Sequence, residues 1–203
     1  VWAPRREPIG KMQVAKAGLF RLNKMFCSPG SRTHKLRPRG VQMDEAAKKT
    51  ALRMIPYGMF VLTSKNTNGQ EVGAATINWI TQTSFVPPLV AVGVKVDSTS
   101  HQHIADSGVF AVNVINKDQV NMAFNFFKTH QREGYTIGGQ SFELGRETGC
   151  PLLLNCSAWW ECRVVREFAN GDHTLFVGEV VEAGVRRGDQ AILMRDHNLN
   201  YGG

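Results

Sequence analysis

The sequence predicts a mainly β protein with a few helices, in which the strands close into a barrel. Short segments with the alternation or apolar character of strands recur along the chain, whereas only two or three segments show helical periodicity. Neither the GxGxxG motif of Rossmann domains nor the GxxxxGK motif of P-loop enzymes occurs, and no internal repeat is visible. The 203 residues are 42% apolar, which is enough for one sizeable core. Many short strands with few helices favour a barrel over a doubly wound sheet.

The first predicted element is a helix that begins after Asp44. The Asp44 side chain can cap the first turn, and Pro56 ends the helix after about Ile55. The spacing of Ala47, Leu52 and Ile55 places these side chains on an inward face.

Strand patterns follow on both sides of two strong turn signals. Residues 66–69 read Asn-Thr-Asn-Gly, which is typical of a hairpin turn, and Pro87-Pro88 interrupts the next ladder. The predicted strands here are Tyr57–Lys65, Glu71–Phe85 and Leu89–Lys95.

The second half of the chain is less regular. A short helix is predicted around Gln102–Asp106 and an amphipathic helix over Lys117–Phe127. Residues 128–149 are polar, contain glycines and lack a clear period, so we predict a long irregular excursion there. The predicted strands are Val109–Ile115, Ala158–Val165, Thr174–Ala183 and a weaker Ala191–Met194.

Residues 1–41 form a basic extension that differs from residues 42–203. The extension holds ten of the 24 Lys and Arg residues and one acid, Glu7. Within it, Lys11–Phe26 can form a basic amphipathic helix. This composition fits a targeting segment, and equally a start-site artefact ahead of Met43. We expect a cytoplasmic protein, with the plastid or mitochondrion as the alternative if the extension is a transit peptide.

The net charge of +7 comes from this extension, since the rest of the chain has slightly more acids than bases. A nucleic-acid-binding domain usually spreads basic residues over its own surface, so nucleic acid is not an expected partner. No apolar run reaches the roughly 18 residues of a membrane span.

The four cysteines predict neither disulfides nor a metal site. They form no CxxC pair, and their spacing does not match zinc sites. Cys156 and Cys162 lie in an apolar, strand-like run, where a thiol packs as a small hydrophobe. We therefore expect buried, reduced cysteines at positions 27, 150, 156 and 162, and no bound metal.

Polar side chains alternate along a run that otherwise has the composition of a core strand. They are Thr76, Asn78, Trp79 and Thr81. The run begins at Gly73-Ala74-Ala75, where a ligand can approach the backbone closely. Such a slot suits the flat ring system of a flavin. The alternative is an edge strand with a solvent-facing ladder of Thr and Gln side chains.

A candidate phosphate site follows the next strand. Lys95 precedes Ser98-Thr99-Ser100-His101, which stands where a helix is expected to begin. The N–H groups of a helix start, the hydroxyls of Ser98 and Ser100, the ring of His101 and the Lys95 cation together suit a phosphate. The same residues also make an ordinary helix cap.

Asp172 and His173 follow Gly171 in an apparent hairpin between two apolar strands. Such a pair is common in turns. A histidine here can also hydrogen-bond a flavin or a nicotinamide, or titrate near neutral pH. We therefore take Asp172 and His173 as candidate catalytic residues.

In this order, the segments resemble the flavin reductase-like family of FMN-binding split β-barrels. The resemblance covers nearly all of residues 52–203 and rests above all on TSFVPP at 83–88 and GDHTLFVGEV at 171–180. The C-terminal Tyr201-Gly202-Gly203 also fits. The most similar subgroups are the reductase module of cyanobacterial diflavin proteins, small stand-alone FMN reductases and flavoredoxins.

The resemblance implies a homodimer that binds FMN, with FAD as a possibility, near the subunit interface. It assigns flavin contacts to residues already singled out, which are Asn78, Trp79 and Thr81 for the ring system and Ser98, Ser100 and His101 for the phosphate. It places His173, with Asp172, near the flavin and the incoming nicotinamide. The chain departs from the family where Asn78-Trp79 replaces the more common Ser-Ser and Val86 replaces a frequent Asp, which bears on the choice between FMN and FAD.

The expected function is that of an NAD(P)H-dependent FMN reductase. NADH or NADPH would transfer a hydride to bound FMN, and the electrons would continue to free flavin, a partner monooxygenase or another acceptor. One alternative is a non-catalytic FMN-binding electron-transfer protein of the flavoredoxin type. A regulatory flavin- or haem-binding module is a third and weaker possibility.

Overall fold

A computed structural model describes residues 43–169 and 171–202 and confirms the mainly β fold. Seven strands form one antiparallel sheet, and four short strands form a second. The strands are β1 Phe60–Lys65, β2 Val72–Ile77, β3 Ile80–Phe85, β4 Pro88–Lys95, β5 Val109–Val114, β6 Arg132–Glu133, β7 Thr136–Ile137, β8 Gln140–Leu144, β9 Pro151–Leu153, β10 Ala158–Ala169 and β11 His173–Val185. The helices are α1 Glu45–Arg53, α2 Thr99–Ser107 and α3 Val120–Asn125, with 3-10 turns at Lys117–Gln119 and Met194–His197.

The larger sheet curls into an open barrel because its two edge strands are consecutive in the chain. The strand order is β2-β1-β5-β10-β11-β4-β3, so β2 and β3 lie at opposite edges. In a flat sheet the six spacings between them would add to about 29 Å. The chain from Ile77 to Ile80 can span at most about 11 Å. The sheet must therefore bend until its edges approach each other, which gives a split barrel.

Alternate residues of β1 contribute to two different cores. Leu62 belongs to an inner cluster on the concave side of the sheet, whereas Val61 belongs to an outer cluster shared with α3 and the smaller sheet. Helix α2 packs against β1, β2 and β4 and adds Ile104 to the inner cluster. The inner cluster is Leu62, Ile77, Val90, Val92, Val94, Ile104, Phe110, Val112, Cys162 and Phe176.

The single long strand predicted over Glu71–Phe85 is wrong. It breaks at Asn78 and Trp79 into β2 and β3, which pair with β1 and β4 at opposite edges of the sheet. The chain must cross from one edge to the other between them, so no continuous strand is possible. The alternation of side chains continues through the break and therefore hides it.

Three other predicted elements differ from the structure. The helix predicted over Lys117–Phe127 begins as a 3-10 turn, and its α-helical part is α3. The excursion predicted as irregular over residues 128–149 contains β6, β7 and β8, since Gly134 and Gly138 adopt the positive φ that tight turns need. The strand predicted over Ala191–Met194 forms only isolated bridges.

Helix α1 is capped as predicted but has no buried face. The carboxylate of Asp44 accepts hydrogen bonds from the N–H groups of Ala46 and Ala47, at 2.9 and 3.1 Å. The inward orientation predicted for Ala47, Leu52 and Ile55 is wrong, because all three are exposed. Helix α1 precedes the barrel and contributes no residue to either cluster. The spacing of its apolar residues therefore does not indicate a face buried in the core.

Several predictions concern residues outside the described part of the chain, namely the N-terminal helix over Lys11–Phe26 and Cys27. The other three cysteines are buried, as predicted. Among residues 43–169 and 171–202, no group of His, Cys, Asp and Glu side chains is arranged to hold a metal. None of the helices described is long and apolar enough to cross a membrane.

Candidate active site

A cavity of about 460 Å³ lies beside the break between β2 and β3. Its walls come from β2, from β4, from the residues after α3 and from the C-terminal segment 199–201, and they are mainly apolar. Six of the residues that the sequence analysis selected line it, namely Thr76, Asn78, Trp79, Lys95, Ser98 and His173. The structure therefore gathers most of the predicted site around one cavity.

The break itself builds one wall of this cavity. The Asn78 amide Nδ2 donates to the Met194 sulfur at 3.2 Å, and the carbonyl of Trp79 accepts from the Gly93 N–H at 2.8 Å. A Cβ added at Gly93 would lie only 3.1 Å from the Trp79 ring. Because β4 and the indole approach so closely, any larger residue at this position of β4 would force the Trp79 ring to shift by a few tenths of an ångström.

Three aromatic rings from distant segments pack together at the cavity. The ring centroid of Trp79 lies 4.5 Å from that of His173 and 5.5 Å from that of Tyr201. The planes of Trp79 and Tyr201 meet at 71°, an edge-to-face arrangement. We call Trp79, His173 and Tyr201 the aromatic cluster.

Asp172 orients the histidine of this cluster. The His173 Nδ1–H donates to the Asp172 carboxylate at 2.9 Å, and this hydrogen bond holds the pKa of Asp172 below its usual value. With Nδ1 protonated in this way, neutral His173 can accept from the Tyr201 hydroxyl, whose oxygen lies 3.3 Å from Nε2. Asp172 itself does not line the cavity and is 85% exposed.

One end of the cavity is cationic. The Lys95 ammonium donates to Asp97 at 2.9 Å, and this hydrogen bond raises the pKa of Lys95. The Ser98 hydroxyl caps α2 by accepting from the His101 N–H at 3.1 Å, and it donates to the Lys95 carbonyl at 2.8 Å. Because Ser98 lines the cavity, the positive end of the nine-residue helix α2 lies there too.

Thr76 lines the cavity from β2. Its hydroxyl donates to the Ala123 carbonyl at 2.7 Å, and its N–H donates to the Phe126 carbonyl at 3.0 Å. These two bonds tie β2 to α3 and leave the hydroxyl oxygen free to accept a further hydrogen bond.

Three further candidates lie outside the cavity lining. Thr81 is exposed on the edge strand β3. This agrees with the alternative given above, an edge strand with solvent-facing Thr and Gln side chains. Ser100 is 3% exposed and lies against Gly73 of β2. The His101 Nε2 lies 2.8 Å from the Thr174 hydroxyl. Flavin contacts by Thr81, Ser100 and His101 stay predictions.

Most of the apolar lining was not predicted from the sequence. The lining residues that were not selected as site residues are Met59, Ala75, Ile77, Gly93, Val94, Phe126, Phe127, Met194, Leu199, Asn200 and Tyr201. Asn198 has a positive φ of 53° and lets the chain turn back, so that the Leu199 N–H donates to the Met194 carbonyl at 3.1 Å. Only the Tyr-Gly-Gly end of the chain gave a signal for this segment.

The buried thiols are unsuited to nucleophilic chemistry. Burial raises the pKa of Cys150 and that of Cys162 to about 12, so both remain protonated at neutral pH. Neither lines the cavity. Neither thiol therefore belongs to the chemistry of the cavity.

Residues 52–202 match the family described as the flavin reductase like domain. The chain belongs to this family. The match covers both ends of the sheet, the break between β2 and β3 and the whole aromatic cluster. The family assignment and the split-barrel fold implied by the sequence are thereby confirmed.

Curated relatives and solved structures of the flavin reductase-like family agree with this assignment. The NADH-dependent FAD reductase of Streptomyces globisporus is 36% identical over 129 residues, which are 63% of this chain and 69% of the relative. The structure of Streptomyces globisporus C-1027 NADH:FAD oxidoreductase SgcE6 has a TM-score of 0.63 at 30% identity, covering 76% of this chain and 92% of that one. The styrene monooxygenase flavin reductase SMOB of Pseudomonas putida S12 has a TM-score of 0.59 at 28% identity, covering 70% and 89%.

Proposed function

We propose that this chain is a flavin reductase that binds FMN in the described cavity and reduces it with NADH or NADPH. The observation that carries the proposal is a mainly apolar cavity with an aromatic cluster at one side and a cationic helix start at one end. This combination matches a ligand with a flat ring system and a phosphate.

The volume of the cavity and the unpaired Nε1–H of Trp79 both fit a flavin ring. The volume of about 460 Å³ falls within the range of roughly 300–1,000 Å³ that is usual for small-molecule sites. The Nε1–H of Trp79 is buried and has no hydrogen-bond partner among the described residues. A buried donor without a partner costs about 1–3 kcal/mol, and a carbonyl or ring nitrogen of the flavin would supply the missing acceptor.

The cationic end fits the flavin phosphate. Lys95, Ser98 and the first N–H groups of α2 would hold it by charge-assisted hydrogen bonds. Asp97 pairs with the Lys95 ammonium, but both side chains are more than half exposed. The ammonium can therefore readily exchange this carboxylate for a phosphate. FMN places its phosphate at the end of a short ribityl chain, so one cavity can hold both parts.

A bound flavin supplies the redox chemistry, since it accepts a hydride from a dihydronicotinamide and later gives up the electrons to an acceptor. The residues described here contribute position. Trp79 and Gly93 fix one wall, and Asp172 sets the orientation of the His173 ring. The apolar lining excludes water from the space where the two rings must meet.

His173 provides a direct test of the aromatic cluster. We predict that His173→Ala slows reduction by the nicotinamide at least about tenfold, because the cluster no longer positions the two rings. The dissociation constant of FMN should change less. The matched variant Tyr201→Phe keeps the ring and removes only the hydroxyl, and its effect should be smaller. Equal reduction rates in wild type and His173→Ala would make the histidine a turn residue only.

The alternative of an FMN-binding electron carrier has one observation in its favour. The side chain of His173 is only 13% exposed, and Tyr201 packs against both His173 and Trp79. This packing narrows the path by which a nicotinamide can reach the flavin ring past His173 and Tyr201. A nicotinamide needs direct contact with the flavin ring, whereas a protein electron donor does not.

Anaerobic mixing separates the two functions. FMN-loaded protein is mixed first with NADH and then with NADPH, and the oxidised flavin band near 450 nm is followed. Rapid bleaching by either nucleotide is the expected result. Flavin that binds and stays oxidised would leave the electron carrier, and protein that does not bind FMN would exclude both.

For the acceptor and the assembly, we propose a homodimer that delivers electrons to free flavin or to a partner monooxygenase. The similarity to SMOB, the flavin reductase of styrene monooxygenase, supports an oxygenase partner. Phe85 and Val86, at the corner between β3 and β4, are 85% and 92% exposed in the single chain, which supports a second copy covering them. Sedimentation velocity should show a dimer, and Phe85→Ser with Val86→Ser should shift it toward monomer.

A further inference from the structure

A second cavity, of about 300 Å³, lies between the end of α1 and the C-terminal segment. It contains two arginines, Arg53 and Arg195, and two asparagines, Asn198 and Asn200. No carboxylate belongs to its lining among the residues that the structure describes. A nearby acid, Asp196, pairs with Arg195 from outside the lining. The wall itself, as far as the structure describes it, therefore carries two guanidinium groups and no carboxylate, which favours an anion.

Both guanidinium groups retain donors for a ligand. The Arg53 Nε–H donates to the Gly202 carbonyl at 3.2 Å, which positions the side chain and leaves its terminal nitrogens. The Arg195 Nε lies 3.6 Å from the Asp196 carboxylate, and the two side chains are 71% and 57% exposed. An ion pair so exposed contributes little, so Arg195 can readily exchange it for another anion.

The two cavities adjoin each other along the C-terminal segment. Met194, Leu199, Asn200 and Tyr201 line both of them. A ligand that crosses this segment can therefore have one part beside the aromatic cluster and another part beside the arginines. Such a ligand must be longer than a single flavin ring and must carry an anion at a distance from its reactive ring.

We propose that the second cavity binds a phosphate of the nicotinamide dinucleotide, with Arg53 and Arg195 as its ligands. The inference rests on the proposed function, which places the nicotinamide ring at the aromatic cluster. Arginine suits this role because its planar fork binds two phosphate oxygens at once. The phosphate is either the pyrophosphate, which both donors carry, or the 2′-phosphate, which only NADPH carries.

Variants of the two arginines test the proposal by binding. We would titrate FMN-loaded protein with NAD⁺ and with NADP⁺ and measure the dissociation constants for wild type, Arg195→Gln and Arg53→Lys. Arg53→Lys keeps the charge but loses the fork. Arg146→Gln is the matched control, since Arg146 is exposed and lines neither cavity. Arg195→Gln should weaken dinucleotide binding about tenfold, and the control should not.

The pattern of losses identifies the phosphate. Loss for both dinucleotides assigns the pyrophosphate, and loss for NADP⁺ alone assigns the 2′-phosphate and predicts preference for NADPH. The dissociation constant of FMN should stay unchanged in either case. Unchanged dinucleotide affinity in both arginine variants overturns the inference. Weaker binding of FAD with unchanged dinucleotide affinity also overturns it, because the cavity would then serve the second half of a flavin.

The proposed function fails in a different way. A wild-type protein whose bound FMN is not reduced by either nucleotide contradicts the reductase. A wild type that is reduced, with arginine variants that bind both dinucleotides normally, contradicts only the second cavity. A wild type that is reduced by either nucleotide but binds neither NAD⁺ nor NADP⁺ contradicts only the second cavity.

Discussion

The inner cluster of the barrel and the wall of the flavin cavity are built from similar side chains but differ in how their polar atoms are satisfied. Val92, Phe110 and Phe176 of the inner cluster are completely buried and carry no polar side-chain atom. The aromatic cluster at the cavity is partly exposed, and each of its rings carries a nitrogen or a hydroxyl.

The inner cluster contributes mainly to stability, whereas the cavity wall contributes mainly to binding. Close packing without polar atoms needs no partner from outside the chain. The half-buried Trp79 indole at the cavity has an N–H without a partner among the described residues, and a ligand there would supply the acceptor. We therefore expect substitutions in the inner cluster to change the free energy of unfolding, and substitutions in the cavity wall to change flavin affinity.

The largest effect should come from Phe176→Ala. Removing a fully buried ring leaves a cavity in the inner cluster and should lower the free energy of unfolding by about 3–5 kcal/mol. Trp79→Ala, in the cavity wall, should cost clearly less in the flavin-free protein. Urea denaturation measures both. Equal losses would show that the cavity wall is as much part of the core as the barrel interior.

Flavin affinity should respond most at the cationic end. In the structure the Ser98 hydroxyl donates to the Lys95 carbonyl, and to bind FMN it would turn its proton toward the phosphate. Ser98→Ala should then weaken binding of FMN about tenfold, because a hydrogen bond to a charged phosphate contributes about 1.5–3 kcal/mol. Riboflavin, which lacks the phosphate, should bind equally well to variant and wild type. Fluorescence quenching measures both ligands.

Ser100→Ala is the matched control for Ser98→Ala. Ser100 lies two residues after Ser98 but is buried outside the cavity lining. Removal of its hydroxyl should therefore leave the affinity ratio of FMN to riboflavin unchanged. A loss as large as that of Ser98→Ala would confirm the sequence-based assignment of Ser100 to the phosphate and contradict the boundary of the cavity described here.

One buried thiol, Cys162, makes the inner cluster sensitive to alkaline pH. The folded Cys162 thiol keeps its proton up to about pH 12, whereas an unfolded thiol loses it near pH 8.5 to 9 (roughly). Above that pH the unfolded state binds fewer protons, so the free energy of unfolding falls by about 1.4 kcal/mol per pH unit for each such thiol.

Urea denaturation between pH 8 and pH 10 checks this slope. Cys162→Ala should show a shallower fall than wild type, because one buried thiol is gone. Val112→Ala also removes volume from the inner cluster but no thiol, so it should lower stability by a constant amount at every pH. Parallel slopes for all three proteins would contradict the raised pKa of Cys162.

We expect the smallest effect from replacing one of two tryptophans, Trp79 and Trp160. The Nε1–H groups of both lack hydrogen-bond partners among the described residues. Only Trp79 lines the cavity, whereas Trp160 packs against the inner cluster. Trp79→Phe should raise the dissociation constant of FMN about two- to tenfold, the effect of one neutral hydrogen bond. Trp160→Phe should leave it unchanged. Similar changes in both would show that the unpaired donor of Trp79 does not face the flavin.

Much of this architecture was predictable from local pattern. Apolar runs bounded by turn signals identified β4, β5 and the two long strands β10 and β11. Alternation identified β1, because a strand with one buried face repeats every two residues. The same rule failed at Asn78 and Trp79, since alternation continues through the break. Helix α1 shows the opposite error, because apolar spacing predicted a buried face where none exists.

The candidate site was predictable only in part, for a related reason. Thr76, Asn78, Trp79, Lys95, Ser98 and His173 stood out because polar groups interrupt apolar strands or precede a helix start. Phe126 and Met194 are ordinary core residues by sequence, and nothing local distinguishes them from the rest of the outer cluster. For Tyr201 the only signal was the Tyr-Gly-Gly end of the chain. Their role depends on which distant segments the fold brings beside β2.

The class of fold, most of the long strands and the chemical character of the site were predictable from the sequence alone, since each is encoded in the spacing and type of neighbouring residues. The short strands β6 to β9 were not. The tertiary structure decided that β2 and β3 lie at opposite edges of one curled sheet, and that Trp79, His173 and Tyr201 meet. It also placed Arg53 and Arg195 in one cavity. Such contacts join residues from distant segments of the chain, as Trp79 and Tyr201 do. The free energy that selects them comes from burial across the whole barrel.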